Sequence, residues 1–225
     1  MAARLVGPSI AEHRAWLLAG AGSVAAVVLE LARVAVFGSN SMQGLLWNLV
    51  LAWVPAFLAL RLRTVVRRGG RSTVRLLPFG VVWLLFLPNA PYLVTDVVHL
   101  RYDDVTRYYD VPMYLVFSGT GLLLGFLSLF VVHSLVRARF GERAGWLLVL
   151  PTIGLTGIGV YLGRALRWNS WDLFVQPERR IAQLLPHASA ATVGHGLLVS
   201  AFVAALLAVG YACFYAVLGA RVETA

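Results

Sequence analysis

The chain has 225 residues, of which 60% are hydrophobic and only 13% charged, with a mean hydropathy of +0.78. Soluble domains carry about a quarter charged residues, so this composition excludes an ordinary soluble enzyme or binding domain. A formal net charge of +9 and a pI near 10.6 raise nucleic acid as a partner, but the placement of the charges argues against it.

Repeated apolar runs predict an all-α, polytopic bundle of about six transmembrane helices in a single transmembrane domain, with the lipid bilayer as its partner. Residues 16–37 form the first span, too long for a signal-peptide core and expected to be retained. Glu30 and Arg33 stand three apart within it, a spacing that predicts a neutral pair on one helix face. The second span is 42–60, with Trp47 and Asn48 at its start and Pro55 inside. Six arginines and no acid then occupy residues 61–75, the composition of a cytoplasmic loop between two spans rather than of a nucleic-acid patch.

The third span, 74–100, holds the most informative stretch, FLPNAPYLVTDVVHL (86–100). Pro88 lacks a backbone donor and clashes with the preceding turn, so the helix is expected to break within 87–91. Asn89 is placed to cap the restart, with Pro91 in its first turn. At roughly 100° per residue, Tyr92, Asp96, His99 and Asp103 fall within about 60° of one another. A polar loop follows, and Asp110 and Pro112 read as the cap and first turn of span four, 112–135. His133 near its far end reads as an interface residue reaching for water.

Span five, 145–163, carries Gly154, Gly157, Gly159 and Gly163; small residues let helix backbones approach, which predicts a central position. Residues 175–191 form a connection with an expected interfacial helix near 181–185, and 192–218 is the sixth span. The single cysteine, Cys213, reads as a small buried apolar residue, and no cysteine-based metal site is available.

With six spans, both termini share one side with twelve arginines against three glutamates; the other side has six arginines against six acids. The whole +9 excess therefore lies on one side, which the positive-inside rule makes cytoplasmic. This accounts for the pI without nucleic acid.

Asn48, Asn89, Tyr92, Asp96, His99, Asp110, Arg164, Arg167, Asn169 and Asp172 then converge on the non-cytoplasmic half as a candidate polar site. The tryptophans at that level, Trp47, Trp168 and Trp171, fit the aromatic belt of any membrane interface. Asp96 and His99 have the character of acid–base groups, but two ligands are too few to define a metal site, and no cofactor is assigned. Arg164 and Arg167 suit a carboxylate or phosphate, or else pair with Asp96, Asp110 or Asp172 and tie two loops together.

The PNAPY–TD–HL block of 86–100, with LLWNLVLAWVP (45–55) and YLGRALRWNSWDLF (161–174), resembles the bacterial membrane-protein family of domain of unknown function 1361. The resemblance runs from span two to span six; it implies a multi-span inner-membrane protein and carries over no catalytic residue. Three functions remain open: small-solute binding or transport at a broken helix, a membrane enzyme acting on lipid-linked or periplasmic substrates through Asp96 and His99, or a structural or assembly subunit. Oligomeric state leaves no signature in the sequence.

The topology has a direct check. With Cys213 replaced, single cysteines introduced at 101–109 and 175–180 should react with an impermeant thiol reagent added from outside. Those at 64–72 should be protected; the reverse pattern would contradict the orientation.

Overall fold

The computed structural model describes residues 8–38, 43–69, 73–96, 104–165 and 190–219, together with residues 175, 178 and 182. Seven helices are found among them: α1 Ile10–Phe37, α2 Gln43–Arg67, α3 Thr73–Phe86, α4 Asn89–Thr95, α5 Asp104–Phe140, α6 Glu142–Ala165 and α7 Ala190–Gly219. Six stretches are long and apolar enough to cross a membrane, α3 and α4 together supplying the third. The chain is an all-α, multi-pass membrane bundle.

Local chemistry sets the helix ends. The Ser9 hydroxyl accepts from the Glu12 amide at 3.1 Å and caps α1. Gly38 closes that helix in the left-handed conformation, at φ 63°. Glu12 also accepts from Arg63 at 2.5 Å and from the Trp16 indole at 3.0 Å, which fixes the start of α1 against the end of α2. Gly141, at φ 92°, is the single residue between α5 and α6, so the two helices fold back tightly on each other.

The centre of the bundle is α5, which packs against α1, α2, α4, α6 and α7. Its apolar stretch is 67% buried, against 39% for α6, so the centrality expected of span five belongs to span four. The glycines of α6 serve narrower contacts instead. Gly157 meets the Ser200 carbonyl and Ala204 of α7, Gly159 meets the Pro88 ring, and Gly154 faces open space.

Three further expectations are corrected. Asp110 and Pro112 do not start span four, because α5 begins at Asp104 and carries Pro112 inside it. The bond lost at Pro112 is the one to the carbonyl of Tyr108, a residue 87% exposed, where the helix tolerates it. His133 is fully buried rather than at the interface; the tight return into α6 brings Trp146 edge-on to its ring, with Tyr215 stacked on it and the Tyr211 hydroxyl 2.9 Å from Nδ1. Cys213 is exposed on α7, the helix with the smallest buried share, 17%. The expected interfacial helix near 181–185 lies outside the described residues apart from Ala182.

Polar side chains bridge the helices. The Trp83 indole donates to Ser128 Oγ at 2.6 Å, and that hydroxyl donates to the Pro55 carbonyl at 3.0 Å, joining α3, α5 and α2. Trp53 reaches Ser23 Oγ at 3.0 Å, and the Tyr109 hydroxyl donates to the Leu29 carbonyl at 2.6 Å, tying α1 to α2 and to α5. Such bonds average about 0.6 kcal/mol between membrane helices, so packing against small residues carries the larger share.

That packing is sharpest under α4. A Cβ added at Gly121 would lie 2.6 Å from both the Ala90 carbonyl oxygen and Leu93 Cδ1, and one at Gly125 would lie 3.0 Å from Ala90 Cβ. The two glycines, four apart, form the groove of α5 in which the half-helix rests. Gly121→Ala should therefore destabilise by about 1–3 kcal/mol, seen as a lower thermal midpoint in detergent. Gly119→Ala, with nothing within 4 Å, should be silent. Equal midpoints would refute the seating of α4.

Candidate functional site

The expected break is present, and it is tight. α3 ends at Phe86, Leu87 and Pro88 form a turn, and α4 runs from Asn89 to Thr95. The backbone bonds through it are Leu87 N to the Trp83 carbonyl at 2.9 Å, Ala90 N to Leu87 at 3.1 Å and Tyr92 N to Pro88 at 3.1 Å. Asn89 does not cap α4 as expected. Pro88 holds the N-cap position in helical geometry, and Asn89 Nδ2 turns back to donate to the Phe86 carbonyl at 2.9 Å, closing the end of α3.

A helix of seven residues leaves carbonyls at its end, and within a bilayer each needs a donor. The side chain of Thr95 donates to the Tyr92 carbonyl at 2.7 Å, Ser118 to Leu93 at 3.2 Å, and the Tyr114 hydroxyl to Val94. Two of these three donors come from α5. The central helix both seats α4 and satisfies its carboxyl end.

Held this way, α4 presents Asp96 as its C-cap residue, only 6% exposed. Asn48 Nδ2 of α2 donates to Oδ2 at 2.9 Å, and Arg164 Nη1 of α6 donates to Oδ1 at 3.2 Å. The Arg164 guanidinium also lies over the Tyr92 ring, 6.0 Å from its centroid. Four of the expected residues, Asn48, Tyr92, Asp96 and Arg164, thus meet where three spans converge. Trp47 beside them is 55% exposed, as suits the lipid interface.

Asp110 does not join them. It is paired with Arg33 of α1, Nε to Oδ1 at 2.6 Å and Nη2 to Oδ2 at 3.2 Å. The Glu30–Arg33 pair expected within α1 is accordingly not formed. A carboxylate on the neighbouring helix offers Arg33 a two-pronged partner, which a side chain three residues away on its own helix does not match. His99, Arg167, Asn169 and Asp172 lie outside the described residues. Among the described residues, no group of three His, Cys, Asp or Glu side chains is arranged to hold a metal ion.

Sequence reasoning misses the Tyr114 and Ser118 donors, although their spacing of four, one turn apart on α5, is a usable signal of one helical face. The glycine pair Gly121 and Gly125 continues down the same helix and is legible as a small-xxx-small groove.

The family model described as "Protein of unknown function (DUF1361)" matches residues 47–207, most of the chain. The chain belongs to the DUF1361 family. The matched region of this DUF1361 protein begins at Trp47, next to Asn48, and includes α4, Asp96 and Arg164, so the whole cluster lies inside it. No curated protein and no solved structure matches the chain.

If Asp96 and Arg164 act as one unit, removing either should nearly exhaust the loss from removing both. In a thermal double-mutant cycle, Asp96→Asn and Arg164→Ala should couple by about 0.5–3 kcal/mol. Strict additivity would show the contact to be energetically idle.

Proposed function

We propose that this protein binds a small anionic solute, a carboxylate or a phosphate, at the non-cytoplasmic mouth of its broken third span, as a solute-binding or transport protein. The observation that carries the reading is the state of Arg164. Its Nη1 is held by Asp96, its plane lies over Tyr92, and its side chain keeps 26% of its surface accessible. Among the described residues no partner takes up its other guanidinium donors. A guanidinium fixed on one edge and open on the other is pre-organised for a planar or tetrahedral oxyanion.

The carboxylate is in the opposite condition. Both oxygens of Asp96 are engaged, by Asn48 and by Arg164, and the residue is buried. It serves to position Arg164 rather than to meet solute. That argues against Asp96 as an acid–base or metal-binding group, and ranks the membrane-enzyme reading second. A helix interrupted at membrane depth, with its ends lining a polar site, is the usual setting for solute sites in transporters.

The orientation rests on charge. Counting every charge at or near a span end, the Arg164 side has six arginines against six acids, Asp110 among them, and the +9 excess lies on the other side. The positive-inside rule then puts both termini in the cytoplasm and the Arg164 cluster outside, in a cell membrane. This distribution also accounts for the basic pI without a nucleic-acid partner.

The test is calorimetric titration of protein in lipid nanodiscs with a panel of small carboxylates and inorganic phosphate. At least one anion should bind, weakened tenfold or more by Arg164→Ala and less by Arg164→Lys, which keeps the charge and loses the fork. Failure of every anion to bind, or affinity unchanged in Arg164→Ala, would overturn the reading.

A further inference from the structure

Among the described residues, two side chains have buried polar atoms without a hydrogen-bond partner, His133 at Nε2 and Glu30 at both carboxylate oxygens, and the carboxylate is the costlier. Glu30 of α1 is 1% exposed, and neither carboxylate oxygen has a hydrogen-bond donor. One turn along, Arg33 is 4% exposed and committed to Asp110 of α5 through two bonds, at 2.6 and 3.2 Å. The three groups interact as a cluster inside the bundle. Among the described residues, Arg33 is the cation of this cluster, bonded to the Asp110 carboxylate and not to that of Glu30.

An ionised carboxylate with no donor, in a water-poor interior, costs several kcal/mol even beside a cation already spoken for. The cheapest complement is a proton, which removes the charge and turns one oxygen into a donor. Among the described residues no other ionic complement is at hand. The arginines of α2, Arg61, Arg63 and Arg67, lie in the last turns of that helix, whose Arg63 pairs with Glu12 at the far end of α1 from Glu30. Tyr109, the neighbouring polar group on α5, donates its hydroxyl to the Leu29 carbonyl.

We propose that Glu30, Arg33 and Asp110 form an intramembrane proton-binding site, in which Glu30 carries one exchangeable proton while Arg33 is held by Asp110. The proton adds to a Glu30 carboxylate oxygen, and no other bond is made or broken. Arg33 lies within reach of both acids, three residues from Glu30 and in contact with Asp110, so the proton and the ion pair have two arrangements between them. The site stands independently of anion binding at Arg164. It is mechanically close to that site, because Asp110 is one turn of α5 from Tyr114, whose hydroxyl holds the Val94 carbonyl of α4.

Infrared spectroscopy of the protein reconstituted in lipid tests this directly, through the carbonyl stretch of a protonated carboxyl above the amide band. At neutral pH the wild type should show one such band, shifting on transfer to deuterium oxide. Glu30→Gln, isosteric with the protonated acid, should remove it. Asp110→Asn releases Arg33 to Glu30 and should also remove it, though the Glu30 side chain is untouched. A band that persists in Glu30→Gln, or that never appears in the wild type, overturns the proposal; a sodium ion held at Glu30 would give the latter result. If Asp110→Asn does not fold, the comparison of wild type with Glu30→Gln decides alone.

Discussion

A bilayer offers no water to a backbone that stops being a helix, and this constraint organises the molecule. Two prolines three residues apart interrupt the third span, and the seven-residue helix after them closes only part of its own end. Its last carbonyls are met by Thr95, Ser118 and Tyr114, and the end of α3 is met by Asn89. Remove those donors and the break becomes untenable at that depth. With them, the break is a rigid turn that carries Asp96 to the junction of three spans.

The central helix follows from the same requirement. α5 gives α4 a groove at Gly121 and Gly125 and donors at Ser118 and Tyr114, and one turn further on it gives Arg33 its carboxylate. Structural and chemical demands therefore fall on a single face, from Asp110 to Gly125. On α6, Gly159 makes room for the Pro88 ring, and Arg164 sits a little over one turn beyond it. The two helices hold the break between them, and Arg164 and Tyr92 meet above it.

What the sequence disclosed was set by the range of each signal. Spans are read from runs of about twenty apolar residues, and the break from proline chemistry; both are local, and both match the structure. The proximity of Asp96 and Arg164, 68 residues apart, was reachable only through topology, since both were assigned to one end of the bundle. Burial was less legible. The sequence reads His133 as an interface residue and Cys213 as buried, and the structure has the reverse, because an apolar helix gives no sign of which face meets lipid and which meets protein. Partner choice was legible least. Arg33 had a near neighbour in sequence and a better one in space, and no local pattern distinguishes Glu30 from Asp110.

The most direct test of this account is a through-space magic-angle-spinning NMR transfer, in lipid bilayers, from the guanidinium nitrogens of Arg164 to the carboxylate carbon of Asp96. The Arg33–Asp110 pair, at 2.6 Å, serves as the internal standard. The account predicts an Arg164–Asp96 cross-peak alongside that standard, and its loss in Tyr114→Phe as α4 is released. A spectrum with the Arg33–Asp110 peak and no Arg164–Asp96 peak would contradict it.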